Sequence, residues 1–144
     1  MEKADKKEQE MQEKLILYQL LQKHLEELSN QATLLEGKML EIETTSSTLS
    51  DLRGMKEKGE LVFPLGSGCY GYGRLDDNGK IMVDIGAGNL INKTPSQAAA
   101  FLEEKKEEIK KLGDRLVKEV SEVSERLNIL AEEIQKESEK HAHE

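Results

Sequence analysis

The strongest constraint on how this chain can fold is a seven-residue repeat in its first third. Ten of the thirteen a and d positions between residues 11 and 53 are apolar. Two apolar positions in every seven form a narrow stripe that is buried only against another helix, so the repeat predicts a coiled coil. The a positions are Met11, Tyr18, Leu25, Ala32, Met39, Ser46 and Arg53, and the d positions are Lys14, Leu21, Leu28, Leu35, Ile42 and Leu49.

The repeat weakens over residues 44–50 (TTSSTLS), where hydroxyl and β-branched side chains lower helix propensity. Gly54 and Gly59 follow and predict the end of the helix.

A second helix is predicted from residue 95 onwards. Thr94 supplies an N-cap hydroxyl, Pro95 suits the first helical position, and Gln97 can close a capping box. Two successive four-residue steps between Leu112 and Val120 predict a local relaxation of the supercoil, with Gly113 inside it. The recurring apolar positions are Phe101, Leu102, Ile109, Leu112, Leu116, Val120, Val123, Leu127, Leu130 and Ile134.

The two helical segments have matching lengths, since residues 11–53 and 95–137 span the same distance along the chain. A chain that folds back on itself would pair them antiparallel over about 60 Å. We call this pair of helices the arm. Its tip is the end at which the two chain ends are expected side by side.

The middle of the chain is predicted to be β-structure. Nine of the eleven glycines fall between residues 54 and 88, among short β-type runs. The expected organisation is an N-terminal helix at 1–53, two β-hairpins at 54–94 and a C-terminal helix at 95–144. The predicted strands are 60–65, 69–75, 80–86 and 89–93.

The hairpins are expected to mediate oligomerisation. Gly71 and Gly73 share one face of their strand, where another backbone or sheet could approach closely, while Tyr70 and Tyr72 share the other. Isolated hairpins are marginally stable and their open edges pair with other chains. The expected oligomerisation residues are Leu61, Phe63, Tyr70, Tyr72, Ile81, Val83 and Ile85.

Composition excludes several classes of protein. Only 3% of the residues are aromatic and none is Trp, whereas 35% are charged. So few aromatic side chains cannot fill the core of a conventional globular enzyme. The net charge is −8 without a basic stripe, so neither nucleic acid nor an anionic membrane is an expected partner. The charged start, the short apolar runs and the single Cys69 favour a cytoplasmic protein.

Three stretches carry a resemblance to a known family: residues 62–70 (VFPLGSGCY), 83–88 (VDIGAG) and 93–102 (KTPSQAAAFL). Together with the order helix, two hairpins, helix, the chain resembles the α class of prefoldin subunits. The β class has one hairpin where this sequence offers two. The resemblance implies a hexamer of two α-type and four β-type subunits whose hairpins form a β-barrel base. It also implies ATP-independent capture of non-native client proteins at the arm tips and their transfer to a group II chaperonin.

The sequence offers a client-binding surface at the predicted tip. Apolar residues off the a/d stripe occupy e, f, g and c positions near the start of the chain. The expected client-binding residues are Leu15, Ile16, Leu17, Leu20, Ile129 and Ile134. The competing interpretation is that these residues pack on a neighbouring arm or broaden the helix contact. The alternative for the whole chain is a structural coiled-coil protein that forms a homo-oligomer or filament through its hairpins.

Other motifs point to no catalytic residue, cofactor or metal. Residues 66–71 (GSGCYG) match G-x-G-x-x-G, but a strand and not a helix is predicted to follow. Residues 76–79 (DDNG) hint at a calcium loop, but Arg74 and Ile85 occupy its first and twelfth positions, where carboxylates are needed, so the stretch predicts a hairpin turn. His141 and His143 form a weak H-x-H pair, His24 is expected on a helix surface, and Cys69 is expected to be a small strand residue. The carboxylates are expected in solvent.

Overall fold

The computed structural model describes residues 2–142, with the side chains up to residue 140. In chain order the elements are α1 (Glu2–Gly54), β1 (Glu60–Gly66), β2 (Cys69–Arg74), β3 (Ile81–Asp84), β4 (Leu90–Lys93) and α2 (Pro95–Ala142). The predicted fold of two long helices with two hairpins between them is confirmed. As a division into domains, the three predicted segments stay a prediction.

The chain forms two compact units, each described by itself below. The helical unit contains the chain up to Gly37 and from Lys110 onwards, and the hairpin unit is Lys38–Ile109. Within the described helices, no stretch is both long enough and apolar enough to cross a membrane.

The helical unit is an antiparallel pair of helices. Near the start of α1, the Nζ of Lys14 contacts Glu137 Oε1 near the end of α2 and lies 3.7 Å from Glu133 Oε2. The predicted return of the chain alongside itself is therefore confirmed in this unit. Its core is apolar and consists of buried Leu21, Leu28, Val123, Leu127 and Leu130, with Tyr18, Leu25, Leu116, Val120 and Ile134 packed against it.

The seven-residue repeat of α1 matches the observed burial. Twelve of the thirteen predicted a and d positions are buried or half-buried, and Arg53 is the exposed one. We call this buried stripe of α1, together with the inward-facing positions of α2 in the helical unit, the seam. Arg53 lies at the end of the helix, where its guanidinium donates a hydrogen bond of 2.7 Å to Ser96 Oγ.

The hydroxyl-rich stretch of α1 does not interrupt the helix. Three threonine hydroxyls donate hydrogen bonds to the carbonyl oxygens four residues earlier. These bonds satisfy the hydroxyls inside the helix. The bonds run from Thr44 to Leu40, from Thr45 to Glu41 and from Thr48 to Thr44, at 2.8 to 3.0 Å.

The burial pattern of α2 contradicts the two successive four-residue steps from which a relaxed supercoil was predicted. Gly113, not Leu112, lies on the inner face: Gly113 is half-buried, whereas Leu112 is 46% exposed. With Gly113 in the seam, the inner positions continue in steps of three and four through Leu116 and Val120. The heptad spacing is therefore regular where the apolar residues alone suggested two steps of four.

The start of α2 has the predicted capping box. Gln97 N donates to Thr94 Oγ1 at 3.2 Å, and Thr94 N donates to Gln97 Oε1 at 3.1 Å. These two bonds satisfy backbone donors that the first helical turn leaves without partners, so α2 begins at Pro95.

The hairpin unit contains two separate two-stranded antiparallel sheets, β1–β2 and β3–β4. The second sheet packs on helix: Val83 is buried in a cluster with Leu49 of α1 and Ala98 of α2. Asn78, in the connection between the hairpins, donates from Nδ2 to the carbonyl oxygen of Met55 at 3.1 Å. This bond ties the connection to the end of α1.

Positive φ recurs in the two hairpin turns, at glycines and also at Ser67 and Ala87, whose φ angles are 52° and 50°. Gly66 and Gly68 have φ of 114° and 82° between β1 and β2, and Gly86 has 134° in the second hairpin. Asp84 Oδ1 accepts a 2.8 Å hydrogen bond from Gly86 N, which closes that turn from its side chain.

Candidate functional site

A group of exposed apolar side chains lies off the seam in the helical unit. We call Leu15, Ile16, Leu17, Leu20 and Ile129 the off-seam cluster; their exposure ranges from 40% to 59%. The first four precede or flank the seam residues Tyr18 and Leu21, so the turn of α1 that carries them is apolar around most of its circumference. An apolar helix surface of this kind stays in contact with water unless another molecule covers it.

Ile134 belongs to the seam and not to this surface. It is half-buried and packs against the core of the helical unit together with Tyr18 and Leu25. We therefore leave Ile134 out of the client-binding surface proposed below. The sequence pattern had already placed it in the regular spacing of α2.

A charged contact fixes the register of the helices beside the off-seam cluster. Lys14 occupies a d position, and its ammonium contacts Glu137 and lies near Glu133 of α2. The hydrogen bond to Glu137 is the main cause that raises the pKa of Lys14 above its ordinary value of 10.5. A lysine at an otherwise apolar seam position specifies one alignment of the helices.

The structure shows further exposed apolar residues on the helices that sequence analysis missed. Leu34, Leu40 and Val117 are 65% to 71% exposed. For Leu34 and Leu40, the signal was present in the repeat, because they occupy c and b positions. They were overlooked because they occur singly and do not form a run.

The first hairpin has two unlike faces. Paired residues of an antiparallel sheet share a face, and Leu61 pairs with Gly73 and Phe63 with Gly71. The Phe63 ring lies over both glycines: a Cβ built on Gly71 would be 2.9 Å from the ring, and one built on Gly73 would be 3.1 Å away. The space predicted for another backbone or sheet is therefore filled by the hairpin's own Phe63.

The opposite face of the first hairpin is open. Val62 pairs with Tyr72, and the next pair on that face joins Pro64 to Tyr70. Tyr72 is 88% exposed, and Val62 and Tyr70 are both at least 60% exposed. We call Val62, Tyr70 and Tyr72 the tyrosine face. Tyr70 and Tyr72 were expected to take part in oligomerisation, whereas Val62, which shares their face through its pairing with Tyr72, was not among the expected residues.

The second hairpin divides the remaining expected oligomerisation residues. Val83 is buried and Ile81 packs against the same cluster, so both contact helix residues of their own chain. Ile85 is exposed, as are Met82 and Leu90 on the other face of the sheet. The alternation of exposure along β3 is the signal for Met82, since a residue between two inward-facing ones points outward.

The remaining motifs have the structures that their turn chemistry favours. The G-x-G-x-x-G stretch forms the turn between β1 and β2 and the start of β2, with no helix after it. Asp77 Oδ1 accepts a hydrogen bond of 2.8 Å from Gly79 N. Cys69 begins β2 and is exposed, as is His24 on α1. His141 and His143 lie outside the residues whose side chains are described. Among those that are described, no group of His, Cys, Asp and Glu could hold a metal ion.

The architecture defines a class of protein: an antiparallel helix pair that carries two β-hairpins between its helices. Solved structures with a similar fold include filamentous PFD from Methanocaldococcus jannaschii, determined by cryo-EM, at a TM-score of 0.70 and 17% identity. That match covers 85% of this chain and 98% of the other. The crystal structure of the prefoldin beta subunit from Thermococcus strain KS-1 matches at a TM-score of 0.57 and 16% identity, over 88% and 90% of the two chains. At these identities the likeness concerns the fold.

Sequence comparison gives the family. The family model described as prefoldin subunit matches residues 21–140. The prefoldin subunit alpha of Archaeoglobus fulgidus is 31% identical over 79% of this chain and 81% of its own length. The prefoldin subunit alpha of Methanococcoides burtonii is 29% identical over 74% and 78% of the two chains. The chain belongs to the prefoldin family, and its relatives and its two hairpins place it in the alpha class.

Proposed function

We propose that this chain is a subunit of an ATP-independent molecular chaperone. It captures non-native polypeptides on the off-seam cluster and passes them to a group II chaperonin in the cytoplasm. The observation that carries the proposal is the exposure of that cluster: Ile16 and Leu20 are each more than half exposed although the seam beside them is well packed. The matched family range begins at residue 21, so support for the α1 part of the cluster comes from its geometry.

The cluster suits unfolded chains because its chemistry is unspecific. Apolar burial contributes roughly 25 cal/mol for each Å² removed from water and imposes no direction on the contact. Several half-exposed Leu and Ile side chains therefore hold many different apolar segments weakly and release them when a larger apolar surface competes. No covalent bond is made or broken in this cycle, and we assign the chain no enzymatic activity.

Assembly through the hairpins completes the proposal. The tyrosine face and the exposed side chains of Met82 and Leu90 leave both small sheets with apolar surface in water. Such two-stranded sheets gain stability by packing or pairing with other chains. We propose that they join the hairpins of β-type prefoldin subunits in a hexamer of two α-type and four β-type chains. The hairpins of all six would form a β-barrel base.

A second candidate function shares this assembly but not the capture. The same exposed hairpin faces would support a structural homo-oligomer or filament in which the helices act as spacers. The two candidates differ in the role of the off-seam cluster. In a spacer the cluster contacts a neighbouring helix, and in a chaperone it contacts clients.

The test replaces Ile16, Leu17 and Leu20 together with Ser. We expect this variant to lose the ability to suppress aggregation of a chemically denatured client, while native mass spectrometry with a co-expressed β-type subunit shows unchanged assembly. The matched control replaces Leu34, Leu40 and Val117 with Ser, three apolar residues of equal or greater exposure outside the cluster. Suppression by the first variant equal to that of the control would refute the capture surface and favour the spacer.

A further inference from the structure

A groove lies on one side of the helical unit, and none of the residues that line it belongs to the off-seam cluster. It is an open depression of about 570 Å³, and its apolar lining residues are half-buried Leu25 and buried Leu127. Its walls are almost entirely uncharged and polar. They consist of Tyr18, Gln22, Glu26, Ser29, Asn30, Ser124 and Asn128.

The polar groups of the groove are available to a ligand. The side chains of Gln22, Asn30 and Asn128 are exposed and make no hydrogen bond to another group within the described part of the chain. A carboxamide both donates and accepts hydrogen bonds, and so does a peptide group. Glu26 is the one acidic or basic side chain among the described residues lining the groove, so most of the polar contacts that the groove offers come from uncharged groups.

The groove follows Leu15 of the off-seam cluster along one side of α1. Leu15, Gln22 and Ser29 are spaced seven residues apart, which places them in one stripe at e positions of the repeat. From residue 18 to residue 30 the helix rises about 18 Å, a length that matches five or six residues of extended chain. An extended segment can therefore continue from the apolar cluster into the groove.

We propose that this groove binds the backbone of an extended, non-native polypeptide. The inference rests on the proposed function and adds to it a second kind of contact: apolar side chains of the client lie on the off-seam cluster, while its peptide groups hydrogen-bond to Gln22, Asn30 and Asn128. Backbone groups are the same in every sequence, so this contact adds affinity without adding sequence preference. Apart from Glu26, its polar lining residues are uncharged, as a peptide backbone is, and Leu25 and Leu127 offer apolar contacts to small side chains.

The test uses a short fluorescein-labelled peptide of Ser, Thr, Gly and Leu, and its analogue with alternate backbone amides N-methylated. The fully assembled protein should bind the parent peptide about threefold to tenfold more tightly than the analogue, the range expected from losing one or two hydrogen bonds. Gln22→Ala with Asn128→Ala removes two of the three carboxamides and should reduce this difference. The matched control, Gln9→Ala with Gln31→Ala, removes two exposed carboxamides outside the groove and should retain it.

The outcomes separate this inference from the proposed function. Equal binding of both peptides by the unmodified protein refutes backbone binding in the groove. A groove variant that behaves like the control refutes it as well. If the peptides still lose affinity for the Ile16, Leu17 and Leu20 to Ser variant, capture stands without the groove. Sedimentation that shows self-association of the protein, lost in the groove variant, assigns the groove to a second copy and overturns the proposal. No peptide binding at all overturns both.

Discussion

The ring of Phe63 covers Gly71 on the neighbouring strand so closely that a Cβ added to the glycine would lie 2.9 Å from two ring carbons. The two residues are direct partners in the β1–β2 register. This contact fills the glycine face from within the hairpin. It leaves the tyrosine face as the open surface of the sheet.

Gly71→Ala should destabilise the first hairpin. The added methyl group overlaps the Phe63 ring, and overpacking of this kind costs about 1 to 3 kcal/mol of unfolding free energy. Urea unfolding of the whole chain measures the effect. In a Phe63→Ala background the same substitution should cost clearly less, because the ring is gone. An equal cost in both backgrounds would contradict the packing described.

Gly113→Ala should stabilise the chain by about 1 kcal/mol, the difference in helix propensity between the two residues. Gly113 lies in the interior of α2, and a Cβ at this position would meet no atom within 4 Å. Gly37→Ala is the matched control on α1, with equally open space but an exposed position. If Gly113→Ala destabilises the chain and Gly37→Ala does not, the helix contact at Gly113 requires a residue without a side chain.

Thr94→Ala should weaken the start of α2. The substitution removes the hydroxyl that accepts from Gln97 N, which costs about 1 kcal/mol at a typical N-cap. Thr94→Ser keeps the hydroxyl and should retain most of the stability. Hydrogen exchange of the first turn of α2 locates the effect, and unchanged exchange in the Ala variant would argue against the capping box.

Sequence reasoning predicted the elements well because local chemistry determines them. The capping box at Thr94 and the glycine turn after β1 are short-range signals, and the start of α2 and the approximate bounds of β1 and β2 follow from such signals. The third strand is shorter than predicted, at Ile81–Asp84 and not 80–86. Sequence reasoning failed where one position competes with its neighbour for the same space. An apolar pattern selects Leu112, whereas the backbone geometry of α2 puts Gly113 on the inner face.

The candidate surfaces were predictable only in part. Leu15, Ile16, Leu17 and Leu20 stand out because they lie off the repeat, and the regular apolar spacing of α2 already indicated that Ile134 belongs to the helix contact. Ile81 and Val83 show the limit. Their alternation predicts one shared face, but whether that face contacts the chain's own helices or another subunit is a tertiary property.

Lys14→Gln should alter how stability depends on pH. The pKa of Lys14 is raised, chiefly by the hydrogen bond to Glu137, so protonation is more favourable in the folded state. The resulting stabilisation is fully present below pH 10.5, the ordinary value, and is lost as the pH rises through the higher folded-state pKa. The stability difference between the two proteins should therefore shrink above pH 10.5. A difference that stays constant across this window would contradict the ion pair.

High salt should reduce the same difference at neutral pH, because Lys14, Glu133 and Glu137 are accessible to solvent and their attraction is screened. Thermal unfolding of both proteins at low and high ionic strength measures this. Lys23→Gln, at an exposed position of α1, is the control that should show no such dependence.

Tyr70→Ser with Tyr72→Ser should block assembly while leaving the fold of the chain intact. Tyr72 is 88% exposed and Tyr70 is 64% exposed, so neither side chain contributes much to packing within its own chain. Aromatic side chains supply a large share of the energy of protein interfaces, because each buries a wide apolar area at a small cost in conformational entropy. Circular dichroism should therefore be unchanged, whereas native mass spectrometry with β-type subunits should show loss of the complex.

Lys80→Ser, at an exposed position between the hairpins, serves as the control. Normal assembly of the double variant would move the interface to Met82, Ile85 and Leu90 of the second hairpin.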